Sequence, residues 1–267
     1  MLASVNGVKE ETILLREDKN GVTTLTFNRP RQYNALSEEM LSTLQHQLEE
    51  IAEDESIRVV IIAANGKAFC AGHDLKQMRA NPSQAYYDDL FSKCSRMMMT
   101  VNQIPQPVIA KVQGLATAAG CQLVAACDLA VAAENARFAT SGIRVGLFCS
   151  TPAVAVSRNL SRKKAMELLL TGEFIDARTA LEQGLVNRVA PAAELDATVQ
   201  SLVDAIVSKS AVAVATGKQM FYKQLEMGMQ EAYLYASEVM ACNMMAQDAG
   251  EGIDAFMQKR QPVWQHR

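Results

Sequence analysis

Two short segments of this chain have the composition of a site that holds negative charge with backbone amides. The first is Ala71-Gly72-His73-Asp74, and the second is Gly114-Leu-Ala-Thr-Ala-Ala-Gly-Cys-Gln122. A helix predicted to begin at about Ala119 would supply an unpaired N–H group together with a favourable dipole. The small side chains around that residue would let a carbonyl group approach closely. The two segments therefore predict an oxyanion hole, in which each donor is typically worth about 2.7–4 kcal/mol.

The composition of the whole chain excludes several classes of function. Apolar residues make up 49% of the 267 residues, which is enough for a substantial core in one large domain. The net charge of −3 argues against nucleic-acid binding, and no apolar run reaches the ~18 residues of a membrane span. The segment from Met1 to Lys9 lacks the pattern of a signal or transit peptide, which predicts a cytoplasmic location.

The cysteine and histidine patterns predict no metal site. The cysteines form no CxxC pair and show no metal-ligand spacing, so we expect reduced and mostly buried thiols. No two of the three histidines lie near each other in the sequence, and only His73 falls in a candidate site. The six cysteines are Cys70, Cys94, Cys121, Cys127, Cys149 and Cys242.

The first half of the chain alternates between strand and helix patterns. A hairpin turn at Asn20-Gly21 separates β-rich runs at 12–16 and 22–27. Ser37 is a good N-cap for a helix that continues through 40–51. Buried strands are predicted at 59–63, 107–112 and 129–132, with a helix from about Ala119 before the third. Strand, helix and strand at this spacing indicate βαβ units and a parallel sheet.

The second half is mainly helical. Asp176 caps a short helix that Gly184 ends, a last strand covers 186–189, and a helical pattern runs from Leu195 to the C-terminus. We therefore divide the chain into a core at 1–195 and a C-terminal helical region at 196–267 of the same domain. That region is rich in methionine, which suits a core, a subunit interface or an acyl-chain pocket.

These motifs together resemble the enoyl-CoA hydratase/isomerase (crotonase) family almost from end to end. Asn28-Arg-Pro-Arg31 and Asn34-Ala-Leu36 extend the match beyond the two glycine-containing segments. The resemblance implies an α/β fold, a superhelix of ββα units, with a C-terminal helical region that forms trimers and one edge of the coenzyme A pocket. It also implies a homotrimer or a dimer of trimers. The substrate would be an acyl-CoA thioester, and coenzyme A would enter only as part of that substrate, with no separate cofactor.

The resemblance also assigns roles to individual residues. The backbone amides of His73 and Ala119 would be the two oxyanion donors. The His73 ring would either pack or act as a general acid or base, and close helix packing is the other explanation for the small residues at 118–120. The remaining residues expected along the substrate are Arg31, Tyr33, Ala35, Ala71, Asp74, Leu75, Ala116, Ala118, Ser141, Cys149, Ser150 and Lys259.

This sequence departs from the family pattern at the two positions where hydratases carry catalytic glutamates. Here those positions are Gln122 and Gly142. Glutamine can hold a water molecule but cannot transfer protons usefully at neutral pH, and loss of one acid–base group typically costs about 10²–10⁴-fold in rate. We therefore expect efficient hydration to be lost. Cys149, Ser150 and Thr151 would face the reaction space instead.

Three functions remain compatible with the sequence. The first is an acyl-CoA lyase or isomerase with chemistry other than efficient hydration, such as decarboxylation of a malonyl-type thioester or thioester hydrolysis. The second is a slow hydratase or isomerase in which Asp74, Cys149 or another carboxylate substitutes. The third is an acyl-CoA-binding protein without catalysis. Segments 114–122 and 148–152 resemble one particular branch of the family.

Overall fold

The structure, a computed structural model, describes residues 12–267 of the chain. Residues 1–11 of the predicted core region lie outside this range, and so does the Met1 to Lys9 segment used to predict location. The ten described strands are β1 (Leu14–Lys19), β2 (Val22–Phe27), β3 (Val59–Ala64), β4 (Ala68–Cys70), β5 (Val108–Val112), β6 (Leu115–Thr117), β7 (Leu129–Ala133), β8 (Arg137–Ala139), β9 (Ile175–Asp176) and β10 (Arg188–Ala190).

Helices connect and cover these strands. The eleven described α-helices are α1 (Glu38–Ala52), α2 (Leu75–Ala80), α3 (Gln84–Gln103), α4 (Ala119–Ala126), α5 (Ser150–Asn159), α6 (Arg162–Thr171), α7 (Ala177–Glu182), α8 (Leu195–Val207), α9 (Ala211–Gln224), α10 (Met229–Met244) and α11 (Gln247–Met257).

The strands form two sheets, and successive strands from β3 to β8 are added to them alternately. The six-stranded sheet has the order β1-β2-β3-β5-β7-β10, and the four-stranded sheet has the order β4-β6-β8-β9. Each of the pairs β3-β4, β5-β6 and β7-β8 places one strand in each sheet and is followed by a helix. The pairings from β2 to β10 in the larger sheet are parallel. This is the repeated ββα plan that the family resemblance implies.

Local signals in the sequence are confirmed at several element boundaries. The Asn20-Gly21 turn joins β1 and β2 as an antiparallel hairpin, with Lys19 opposite Val22. The Ser37 side chain accepts a hydrogen bond of 3.2 Å from the Met40 amide at the start of α1. The Asp176 side chain likewise accepts one of 2.8 Å from the Thr179 amide at the start of α7. These caps satisfy amides that a helix N-terminus would otherwise leave unpaired.

The central strands β3, β5 and β7 of the larger sheet are buried on both faces. Alternate residues of β3 point to opposite sides, so Val60 and Ile62 belong to the main core while Val59 and Ile61 belong to a second cluster. Helix α8 covers that second face, and its buried residues are Leu195, Val199 and Val203. Burial on both faces is what a parallel sheet requires.

A buried ion pair ties helix α9 to the core. The Lys218 Nζ atom donates to Asp128 at 2.7 Å and to the Val101 and Gln106 carbonyls at 2.8 and 2.9 Å. The Tyr222 hydroxyl donates to the other Asp128 oxygen at 2.8 Å. Burial lowers the pKa of Lys218 and raises that of Asp128, while their mutual attraction opposes both changes. Both charges are therefore compensated by hydrogen bonds to protein groups.

The helices after α8 leave large apolar side chains uncovered. Met229, Met245 and Phe256 are 76%, 86% and 85% exposed. The methionine-rich pattern therefore does not mark a core within this chain. Within residues 12–267 no single helix is long and apolar enough to cross a bilayer, although the bent pair Ala192–Val207 and Ala211–Gln224 passes that test when combined.

Candidate active site

The two glycine-containing segments lie side by side because they leave neighbouring strands. Cys70 at the end of β4 is paired in parallel with Ala116 of β6. Gly72 follows with a φ of +92°, and a Cβ atom there would lie 2.8 Å from Ala118 Cβ and 3.2 Å from the Ala119 nitrogen. Only glycine combines this backbone conformation with so close an approach. Gly72 therefore brings the segment around residue 73 against the start of α4.

The direction of the His73 amide follows from the bonds on either side of it. The Leu36 amide donates to the Gly72 carbonyl at 2.8 Å, and the Asp74 amide donates to the Leu36 carbonyl at 3.2 Å. Amides of successive residues in an extended chain point to opposite sides. The His73 N–H group therefore points away from Leu36, towards the side where β6 and α4 meet.

An unusual turn at Ala118 precedes the Ala119 amide. Ala118 has φ 51° and ψ −121°, and Ala119 is the first residue of α4. An amide at this position has no carbonyl partner within its own helix. A conformation of this kind costs a residue other than glycine roughly 1–3 kcal/mol, and such strain concentrates at functional sites.

Residues of both segments line a cavity of about 390 Å³. Its wall combines His73 and Ala119 with apolar side chains from α2, α3 and the loop before α5. No aspartate or glutamate within residues 12–267 lines it. The lining residues are Ala71, His73, Leu75, Met78, Phe91, Ala118, Ala119, Ser141, Gly142, Val145, Leu147, Phe148, Cys149, Ser150, Thr151 and Pro152.

The His73 ring is packed rather than poised for proton transfer. It lies edge-on to Phe91, with ring centroids 5.5 Å apart. Both ring nitrogens are buried without a hydrogen-bond partner among the described residues. Burial lowers the pKa of His73 to about 4, and the nearby Leu36 backbone opposes that change only partly. The ring is therefore neutral at pH 7, which favours packing over a general acid or base.

The two positions of the family's glutamates differ in their surroundings. Gln122 is 4% exposed on α4, and its Oε1 atom has no partner among the described residues. At Gly142 the surrounding atoms leave no space for a side chain. A Cβ atom there would lie 2.6 Å from the Leu147 carbonyl oxygen and 2.8 Å from Cys149 Sγ. The loop closes on this glycine through a 3.0 Å bond from the Leu147 amide to the Gly142 carbonyl.

Several residues predicted to contact substrate lie on this cavity wall. They are Ala71, Leu75, Ala118, Ser141, Cys149 and Ser150. The Ser141 hydroxyl also shares a 2.6 Å hydrogen bond with Thr117. Burial raises the pKa of the Cys149 thiol, so the thiol form dominates at neutral pH.

Other predicted residues lie outside the cavity wall. Asp74 caps α2 by accepting from the Lys76 amide at 3.0 Å, and it lies 3.7 Å from Arg29. Tyr33 is 56% exposed, and its carbonyl accepts from the Ala71 amide at 3.0 Å. Ala35 and Ala116 are buried in the framework, Arg31 is exposed, and Lys259 is exposed beyond the end of α11.

Sequence reasoning missed the apolar part of the cavity. Met78 and Phe91 come from α2 and α3, and Val145, Leu147 and Phe148 come from the loop before α5. These residues have no shared spacing in the sequence. Only the run of Leu147 and Phe148 beside the family's catalytic segment could have indicated them.

Comparison with known proteins gives extensive matches. The sequence model of a family described as enoyl-CoA hydratase/isomerase matches residues 17–267. The mouse protein named enoyl-CoA hydratase domain-containing protein 3, mitochondrial, is 46% identical over 257 residues, covering 96% of this chain and 86% of that protein. The human protein of the same name is 46% identical over 247 residues, covering 92% and 82%.

Two solved structures match over nearly their whole length. A crystal structure of an enoyl-CoA hydratase from Mycobacterium smegmatis is 56% identical, covers 95% of this chain and 99% of that chain, and has a TM-score of 0.94. The crystal structure of human enoyl-CoA hydratase domain-containing protein 3 is 44% identical, covers 95% and 100%, and has a TM-score of 0.92. The predicted fold is confirmed, and so is the resemblance of the chain to the branch of domain-containing protein 3.

The same comparison contradicts the predicted cytoplasmic location. The relatives from mouse, rat, Xenopus laevis and human are all named as mitochondrial proteins. The prediction rested on the pattern of Met1 to Lys9, which is therefore no guide to location.

Proposed function

We propose that this chain, which belongs to the enoyl-CoA hydratase/isomerase family, binds an acyl-CoA thioester and stabilises its enolate with the amides of His73 and Ala119. The observation that supports the proposal is that His73 and Ala119 line one apolar cavity and lie on two segments that come into close contact at Gly72. Negative charge on the thioester oxygen would be held there by fixed donors in a site of low dielectric, where such donors are most effective. Coenzyme A belongs to the substrate, and no other cofactor enters the proposal.

Efficient hydration is not part of this proposal. Adding water to an enoyl thioester needs a group that activates the water and a group that delivers a proton. Within residues 12–267 no carboxylate lines the cavity, and the space beyond Gly142 is occupied by Leu147 and Cys149. The proposed chemistry is therefore one that needs an enolate but no carboxylate base.

Decarboxylation of a malonyl-type thioester is the second candidate, and the apolar wall favours it. Loss of carbon dioxide moves the electrons of the breaking C–C bond into the enolate, so no base has to start the reaction. A carboxylate surrounded by Met78, Phe91 and Phe148 loses its hydration, whereas neutral carbon dioxide does not need it. The site would thus disfavour the charged substrate relative to the transition state.

A panel of thioesters tests both candidates. Calorimetry with acetyl-CoA measures binding, loss of enone absorbance measures hydration of crotonyl-CoA, and mass spectrometry measures conversion of methylmalonyl-CoA to propionyl-CoA. We expect acetyl-CoA to bind and crotonyl-CoA to be hydrated at least about 10²-fold more slowly than by glutamate-containing hydratases. Failure to bind any thioester would overturn the proposal, and crotonyl-CoA turnover within tenfold of those hydratases would overturn its chemistry.

Substitution of Gly72 tests the proposed oxyanion site, and substitution of Gly184 is the matched control. Gly72→Ala puts a Cβ between the two segments, while Gly184→Ala meets a similar φ of +87° with only the Asn159 carbonyl at 3.2 Å. Both variants carry backbone strain, but only the first separates residue 73 from residue 119. We expect thioester binding to fall in Gly72→Ala and to persist in Gly184→Ala.

The helical region after α8 supports self-association as part of the proposal. Its exposed Met229, Met245 and Phe256 would be covered by further copies of this chain in a trimer or a dimer of trimers. Arg31, Tyr33 and Lys259 remain proposed contacts to coenzyme A. Light scattering of the purified chain measures the assembly, and a monomer at micromolar concentration would contradict it.

A further inference from the structure

The thiol of Cys149 occupies the space next to Gly142 at the cavity wall. A Cβ atom on residue 142 would lie 2.8 Å from Cys149 Sγ, so this sulfur fills space that a side chain at 142 would need. Cys149 is 6% exposed, and it lines the same cavity as His73 and Ala119. The cysteine therefore borders the same cavity as the two residues whose amides are proposed to hold the thioester oxygen.

The surroundings keep this sulfur in its protonated form. Burial raises the pKa of the Cys149 thiol, and the Gly142 amide offsets that rise only in part. No carboxylate or ammonium group within residues 12–267 lines the cavity. A protonated thiol is a weak hydrogen donor, and the α-carbon of a thioester enolate is a far stronger base than a thiolate. Proton transfer from sulfur to that carbon is consequently downhill.

We propose that the Cys149 thiol faces the α-carbon of the bound thioester and delivers the proton that quenches its enolate. The inference rests on the proposed function, because it needs an enolate in this cavity. In the step, the S–H bond breaks, a C–H bond forms from the enolate electron pair, and the thioester carbonyl is restored. The thiolate then takes a proton from water. A side chain at 142 has no part in the reaction.

An affinity label tests the position of the sulfur. Bromoacetyl-CoA carries bromide on the carbon next to its carbonyl, so a sulfur facing that carbon displaces bromide, forms a thioether and releases its proton to solvent. We expect peptide mass spectrometry to find the label on Cys149, formed at least about 100-fold faster than with bromoacetamide at equal concentration. Acetyl-CoA should suppress it, while any label on the exposed Cys242 should be unaffected.

Hydrogen exchange tests the proton transfer itself. By microscopic reversibility, the group that protonates the α-carbon also removes its hydrogen, so the wild type should exchange the methyl hydrogens of acetyl-CoA in D₂O. We expect at least about a 10²-fold slower exchange in Cys149→Ala and an intermediate rate in Cys149→Ser. The wild-type rate should rise with pH as the thiolate forms, and thermal melting checks that both variants remain folded.

The outcomes separate this inference from the function on which it rests. If acetyl-CoA binds but bromoacetyl-CoA leaves Cys149 unlabelled, the position is wrong while the proposed function stands. If the label forms but the wild type shows no exchange, or Cys149→Ala exchanges equally fast, the proton transfer is wrong. If calorimetry shows no thioester binding, the proposed function and the inference fall together.

Discussion

Replacing Gly142 by alanine tests whether this position can carry any side chain. The added Cβ would lie 2.6 Å from the Leu147 carbonyl oxygen and 2.8 Å from Cys149 Sγ. The first contact is with backbone, so it cannot be relieved by a rotamer change. The loop that carries Leu147 and Cys149 would have to move, and overpacking of this kind typically costs about 1–3 kcal/mol.

Urea denaturation measures the effect as a change in the free energy of unfolding. The matched control is Gly217→Ala in the interior of α9, where an added Cβ meets no heavy atom within 4 Å. Alanine should stabilise that position by about 0.4–1 kcal/mol. The reasoning is refuted if Gly142→Ala is as stable as the wild type, or gains stability as Gly217→Ala does.

Combining Gly142→Ala with Cys149→Ala separates the two contacts that close on residue 142. Cys149→Ala removes the sulfur contact but leaves the Leu147 carbonyl, so it should recover only part of the loss caused by Gly142→Ala, with a coupling of about 0.5–3 kcal/mol. For the same reason, Gln122→Glu combined with Gly142→Glu should remain a poor hydratase. Crotonyl-CoA turnover near that of glutamate-containing hydratases would show that the loop carrying Leu147 and Cys149 moves to accommodate a side chain at 142.

Three further changes test other parts of the structure. Ala118→Gly should stabilise the fold by roughly 1–3 kcal/mol in urea denaturation, because it relieves the backbone strain before α4; a loss of stability would contradict this. NMR titration should find the His73 ring neutral down to pH about 4. Since the unfolded state then binds more protons between pH 6.5 and 4, stability should fall as pH falls through that window, and a ring that titrates near its ordinary pKa would contradict it. Lys218→Met leaves Asp128 buried without its cation and should cost about 3–5 kcal/mol; an unchanged midpoint would show that the pair is solvated.

Local chemistry of the chain was sufficient to predict many elements. The hairpin at Asn20-Gly21 and the caps at Ser37 and Asp176 follow from turn and capping preferences of single residues. The central strands β3, β5 and β7 of the larger sheet follow from apolar runs buried on both faces. The strand expected at 186–189 forms slightly later, as β10 at Arg188–Ala190.

The smaller sheet could not be predicted in this way. Strands β4, β6 and β8 have only three residues each, too few to show an alternating pattern. They form because each follows a longer strand and meets the equivalent strand of the next unit. This sheet also sets Gly72 against Ala118, so the closest approach in the site depends on pairing between distant segments.

The candidate site likewise combines features that local sequence predicts with features that depend on contacts between distant segments. The close approach of the two backbone segments could be predicted from motifs, since glycine and alanine at 72 and 118–120 mark where the segments meet. The closure of the loop on Gly142 could not. The left-handed Gly146 marks the end of a short helix, but it does not show where the Leu147 carbonyl and the Cys149 sulfur come to lie. The neutral state of the His73 ring likewise depends on burial by Phe91, which comes from another helix.

A crystal structure of the chain with acetyl-CoA is the most direct test of the central claim. The account predicts the thioester oxygen within about 2.7–3.1 Å of both the His73 and the Ala119 nitrogens, with the methyl carbon beside the cavity wall that carries Cys149. A thioester bound elsewhere, or an oxygen that meets only one of these two amides, would contradict it.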